Sequence, residues 1–170
     1  GAGDVVAVTR DTTKKTVIDT VKGAGDVTTS TLEVVSDVVS GASAAVSESA
    51  KSTTDGVAGI VEGAIDAAKE VGVDVGNAIK ESVQGAIKGV SDVGGDLGEA
   101  GIGAVKGTIA AASDIGTDTT EATTKAVVGV IKAADQVGSE AGSTVRKALL
   151  STASLPREII QAAIGQADEK

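Results

Sequence analysis

An eleven-residue phase runs unbroken from Asp4 to Asp168, and it constrains the fold of this chain more than any other feature. Cut into elevens, the sequence reads DVVAVTRDTTK, KTVIDTVKGAG, DVTTSTLEVVS and onward to EIIQAAIGQAD. Apolar residues favour block positions 2, 3, 6, 7 and 10, and charges favour position 1. Eleven residues over three turns is about 3.67 per turn, close to the α-helix. The apolar positions then merge into one stripe roughly 130° wide. A loop ordinarily breaks such a phase. The register therefore predicts an all-α fold: a long continuous hendecad helix whose stripe is buried in a multi-chain helical assembly. Drawn straight, the rod would span about 250 Å.

The kind of core available narrows the choice. Of the 170 residues, 41% are apolar, yet Phe, Trp, Tyr, Met and Cys are all absent. Ala, Val and Ile fill a thin seam well and a wide core badly. The absence of Cys and His removes thiol nucleophiles, imidazole bases, disulfides and the standard zinc ligands, so neither a catalyst nor a metal or cofactor site is expected. Net charge is -9 and is concentrated in residues 59–124, which disfavours nucleic acid and anionic membranes as partners. No uninterrupted apolar run reaches the ~20 residues of a membrane span. The start, Gly1-Ala2-Gly3, reads as a processed or trimmed end, consistent with an extracellular or cell-surface protein.

Within the eleven lies a twenty-two. One block type reads GIVEGAIDAAK (59–69), ESVQGAIKGVS (81–91), GAVKGTIAAAS (103–113) and KAVVGVIKAAD (125–135). It sets Val61, Val83, Val105 and Val127 at position 3, and Ile65, Ile87, Ile109 and Ile131 at position 7. The alternate type sets small residues there: Gly72 and Gly76, Gly94 and Gly98, Gly116 and Thr120, Gly138 and Gly142. Bulky and bare patches thus alternate, and glycines four apart admit a neighbouring backbone. The expectation is a seam in which the Val/Ile knobs of one helix fill the Gly notches of the next. Each interior glycine also costs about 0.8–1 kcal/mol relative to alanine, and there are 23. A lone chain is therefore expected to be largely disordered until something buries the stripe.

Three segments follow. Residues 1–58 are Val/Thr/Ser-rich, keep the eleven and lose the twenty-two. Stretches such as Asp26–Ser36 have raised β-propensity but no strict alternation. Residues 59–146 carry the super-repeat. Residues 147–170 gather Leu149, Leu150, Leu155, Ile159, Ile160 and Ile164 around Pro156. The proline predicts a kink near Ser154 and a short helix to about Gln166, with the large side chains forming a joint between subunits. A turn in the glycine-rich stretch 94–103 would fold the rod into an in-phase hairpin with arms 4–91 and 104–168.

Acidic pairs four apart, Glu70/Asp74, Asp92/Asp96 and Asp114/Asp118, would share a helix face. They read first as a solvated acidic face, next as partners for a neighbour's lysines, and last as weak shared Ca²⁺ sites, for which one pair offers too few oxygens. Gly94-Gly95-Asp96-Leu97-Gly98 lacks the strand-to-helix context and Lys-Ser/Thr ending of a phosphate loop.

The repeat, with stretches such as Lys14-Lys15-Thr16-Val17-Ile18-Asp19-Thr20-Val21-Lys22-Gly23, resembles those of group-3 late-embryogenesis-abundant proteins, synucleins and perilipins. The resemblance implies amphipathic helix that forms on lipid or on drying. The 22-residue alternation is more similar to hendecad coiled coils, which are right-handed assemblies. The function expected is structural: a self-assembling subunit of an α-helical fibre or tube whose partners are copies of itself. A lipid-surface-binding or desiccation-protective protein is the alternative.

Overall fold

Three successive 22-residue stretches, 53–74, 75–96 and 97–118, each resolve into one helix and one turn. The computed structural model describes residues 2–24, 29–49 and 52–168. Gly1 and residues 25–28, the latter within the Val/Thr/Ser-rich segment, lie outside them. Among the described residues there are eight helices and no strand: α1 (Ala2–Ala24), α2 (Thr29–Glu48), α3 (Thr53–Glu70), α4 (Val75–Asp92), α5 (Leu97–Ile115), α6 (Thr119–Val137), α7 (Ser139–Ser151) and α8 (Arg157–Asp168). The fold is all-α, as the register requires. It is not one continuous helix.

The breaks have a local cause that recurs. After α3, the Val73 N–H donates to the Ala68 carbonyl at 2.9 Å and the Gly72 N–H to the Lys69 carbonyl at 3.2 Å. Gly72 stands at φ +86°. This is a Schellman ending, in which a left-handed glycine turns the chain back onto its own last carbonyls. Gly94 (φ +71°) and Gly116 (φ +74°) repeat it, with the Gly95 N–H donating to Val90 and the Thr117 N–H to Ala112, both at 2.9 Å. Two residues after each of these glycines comes an aspartate that starts the next helix. The Asp74 carboxylate accepts from the Asn77 N–H at 2.9 Å, Asp96 from Glu99 at 3.1 Å, and Asp118 from Thr120 and Glu121 at 2.9 and 3.1 Å. Such caps satisfy backbone donors that the first turn leaves unpaired.

From Thr53 to Asp118 helix and turn together therefore occupy two elevens, and the phase passes through those three turns intact. The chain turns at 93–96, within reach of the hairpin expected at 94–103. The same turn also occurs at 71–74 and 116–118, while 97–103 are helical. Pro156 directly precedes α8, where its missing N–H breaks no helical bond, and its carbonyl accepts from the Ile160 N–H at 3.0 Å.

The helices form two rows. Helices α1 to α6 pack most extensively on a helix two places along: α1 on α3 and α3 on α5 in one row, α2 on α4 and α4 on α6 in the other, with α8 on α6 and α7 against both α5 and α6 closing the ends of the rows. Consecutive helices join the rows. Second neighbours run parallel, because Gly59 and Gly63 of α3 face residues 6–10 of α1 in ascending order, and Gly103 and Gly107 of α5 face Thr54 and Ala58 of α3. The helix between two parallel neighbours must then run the opposite way.

The core is a set of thin Val/Ile/Ala seams, with Val17, Val39, Val57, Ile60, Ile79 and Ile160 among the fully covered side chains. The accessible surface, 7689 Å², is close to the roughly 7500 Å² expected of a compact monomer of this mass. The stripe that called for other chains is buried by helices of the same chain.

Candidate functional site: a buried carboxyl cluster

The residues expected to form the packing seam divide into two sets. The knobs Val61, Ile65, Val83, Ile87, Val105, Val127 and Ile131 are buried, and Ile109 is half-buried against them. They fill the chain's own core. The notches are mostly elsewhere. Gly72, Gly94 and Gly116 are left-handed helix ends, where an added Cβ would meet nothing within 4 Å. Gly138 also faces open space, at φ 163°, between α6 and α7. Gly76 lies beneath the Lys125 side chain, and Gly142 against Asp135 and Arg146. Gly98 meets α7, with Ala148 3.1 Å from where its Cβ would stand, whereas the nearest atoms to Gly76 and Gly142 belong to polar side chains.

The working notches are the Gly-x₃-Gly pairs of the bulky blocks. A Cβ on Gly59 would fall on Thr9 and the Val6 carbonyl, and one on Gly63 on the Arg10 carbonyl. One on Gly89 would fall on the Ser40 carbonyl, and one on Gly107 on the Ala58 carbonyl. A Cβ on Gly85 would stand 2.8 Å from the Ser36 carbonyl oxygen. Backbone seats on backbone. One knob does enter a notch inside the chain, since Val83 lies 2.7 Å from a Cβ built on Gly129.

The terminal Leu/Ile group is likewise internal. Leu149, Leu155 and Ile160 are buried, and Leu150 and Ile164 pack at their margin; Ile159 is half-buried. Arg146 clamps this end, donating to both Asp135 oxygens at 2.8 and 3.0 Å and to Asp168 at 2.6 Å. The acidic pairs do not form a ladder, because a turn separates the members of each: Glu70, Asp92 and Asp114 close helices, and Asp74, Asp96 and Asp118 cap the next ones.

The notches create the chemically unusual site. Helix α3 is the middle of its row, with α1 seated on Gly59/Gly63 and α5 bringing Gly107 onto Ala58. At this approach a residue on the edge of the stripe is sealed in, and that residue is Glu62, only 4% exposed. One turn on, Asp66 is half-buried, and its Oδ1 is fully enclosed without a hydrogen-bond partner. Asp114, near the end of α5, completes the group. One oxygen from each of the three carboxyls lies within 4.8 Å of the other two.

The cations beside the group are partly engaged elsewhere. The Arg10 Nε donates to Asp11 at 2.9 Å, so its Nη1 reaches Glu62 only at 4.0 Å. Lys14 stands 3.7 Å from Glu70. Burial first, then hydrogen bonding to Asp114 and its charge, push Glu62 up to about 8 against the smaller opposing effect of Arg10. Burial and Asp114 likewise push Asp66 to about 7, opposed by Lys14 and Arg10.

Near neutral pH such a group holds protons between its carboxyls. A sealed Glu62 cannot meet a substrate, although a raised carboxyl pKa suits a general acid. Three monodentate oxygens next to a guanidinium fall short of the six to eight that Ca²⁺ takes, so the donor set favours protons over metal. The cluster was missed in the sequence because Glu62 and Asp66 resemble any exposed acidic pair. The available signal was Glu62 flanked by Val61 and Gly63, inside a Gly-x₃-Gly pair.

Among the described residues, no helix is long and apolar enough to cross a membrane. No protein-family model matches the chain, and no curated protein matches it in sequence.

Proposed function

We propose that the protein is a structural component whose unit is the folded single chain. The observation that supports this best is the seating of parallel helices backbone to backbone through Gly59/Gly63, Gly85/Gly89 and Gly103/Gly107. Such contacts fill the interior with main chain and reserve the sequence for shape. Copies of the chain remain its proposed partners. A fibre or tube would then join folded units through their outer faces, which carry Asp11, Lys15 and Asp19 on α1 and Glu33 and Asp37 on α2, rather than interleave open rods.

Circular dichroism over a wide dilution series, with and without lipid vesicles, tests the proposal alongside electron micrographs. Helix content independent of dilution and of vesicles, with any fibre releasing folded chains, is the expected result. Helix that appears only on assembly would restore the open-rod subunit. Helix that appears or rearranges only on vesicles would favour the lipid-surface alternative.

A further inference from the structure

The cluster of Glu62, Asp66 and Asp114 joins two helices that are otherwise held by apolar and glycine contacts and, at the other end of the seam, by the Thr54 hydroxyl donating to the Glu99 carbonyl at 3.4 Å. We propose that it is a proton-operated latch, which holds the last turn of α5 against α3 when protonated and releases it when deprotonated.

The geometry supports this in three ways. First, the members lie on both sides of one interface: Glu62 and Asp66 in the middle of α3, and Asp114 one residue from the end of α5. With protons present, the α3 carboxyls can donate O–H to Asp114 across the seam. Without them, three negative charges share a space less than 5 Å wide. Second, the two sides differ in freedom to move. Glu62 is sealed and Asp66 half-buried in the central helix of its row, whereas Asp114 is exposed and lies two residues before Gly116, whose left-handed conformation ends α5. Repulsion is therefore relieved by α5 giving way. Third, Glu62 has no short ion pair to neutralise it, because Arg10 is turned towards Asp11.

The charged groups around the cluster are Arg10 and Lys14 of α1 and Asp114 of α5. Helices α2 and α4 also adjoin α3. Their Glu33, Asp37, Glu48, Lys80, Lys88 and Asp92 are exposed and Glu81 is half-buried, and among the described residues no ion pair ties them to the cluster. The direction follows from the two α3 carboxyls, whose folded-state values lie above those of the free side chains. The latch is fully closed below the ordinary carboxyl range and weakens as pH rises towards about 8.

Hydrogen exchange at the backbone amides of 110–115, corrected for intrinsic rates, reads the latch directly. The last turn of α4, 88–92, serves as the internal reference. Between about pH 5 and pH 8, protection at 110–115 should fall about tenfold per pH unit for each linked proton, while 88–92 stays level. Glu62→Gln with Asp66→Asn keeps the shapes and removes the titration, and should make protection at 110–115 independent of pH. Should that double variant not fold, Asp114→Asn, at an exposed position, must move the midpoint to lower pH by removing the like charge. The proposal is overturned by a parent whose 110–115 amides show no pH dependence, by an equal loss at 88–92, by a double variant that keeps the dependence, or by an Asp114→Asn midpoint that does not move.

Discussion

Replacing Gly107 by alanine sets two known effects against each other, and the structure decides which one wins. In an isolated helix the change stabilises by about 1 kcal/mol. Here the new Cβ would fall on the Ala58 carbonyl oxygen and stand 3.0 and 3.1 Å from the carbonyl carbon and Cα. All three are main-chain atoms of a parallel helix, which cannot rotate aside as a side chain can. Overpacking of this kind costs typically 1–3 kcal/mol, and an obstacle made of backbone belongs in the upper part of that range. The net effect is a loss of about 1–2 kcal/mol, or roughly 2–8 °C in melting temperature for a chain of this length.

Two comparisons isolate the cause. Gly41, in the exposed interior of α2, has nothing within 4 Å of an added Cβ, so Gly41→Ala should stabilise by about 1 kcal/mol. Gly72 also has open space but stands at φ +86°, so Gly72→Ala should destabilise by about 1–2 kcal/mol through backbone strain alone. Calorimetric or circular-dichroism melts of the three variants carry the test. A Gly107→Ala protein as stable as its parent, or a Gly41→Ala protein as damaged as Gly107→Ala, would refute parallel backbone seating.

Other expectations follow from the same structure. Removing a helix cap with Asp74→Ala, Asp96→Ala or Asp118→Ala should cost about 1 kcal/mol each, read from denaturant midpoints. Thermal stability of the parent should fall as pH rises from about 5 towards 8, because the raised Glu62 and Asp66 values favour the folded state only while it holds more protons than the unfolded chain; Glu62→Gln should flatten that slope. Ser43→Ala and Ser82→Ala remove buried hydroxyls that have no hydrogen-bond partner and should raise stability by about 1 kcal/mol. Ile160→Ala, in the core beneath α8, should cost about 2–5 kcal/mol.

The helical class and the 22-residue unit were legible in the sequence, and so were the residues of the core. What failed was the inference from an unbroken phase to an unbroken helix. In α3, α4 and α5, helices of 18 or 19 residues and turns of three or four together take up two elevens, so no slip betrays those turns. The turns had their own signature. Gly72-Val73-Asp74, Gly94-Gly95-Asp96 and Gly116-Thr117-Asp118 are each a C-terminal glycine followed by an N-cap aspartate. Read by periodicity alone, those glycines looked like notches and those aspartates like half of an acidic ladder. The carboxyl cluster was harder to see. Nothing near Glu62 in the chain shows that α1 and α5 close over it, since that contact joins segments about fifty residues apart on either side.

Small-angle scattering of the purified chain at monomer mass tests the central claim, that the apolar stripe is closed within one chain. A folded two-row bundle of this length should have a radius of gyration of about 16 Å. A straight hendecad rod of about 250 Å would give roughly 70 Å, and a disordered chain roughly 44 Å. A value near 16 Å, unchanged on dilution, is the predicted result. A value of 40 Å or more for the monomer, or compaction that appears only as the mass rises to several chains, would contradict the account.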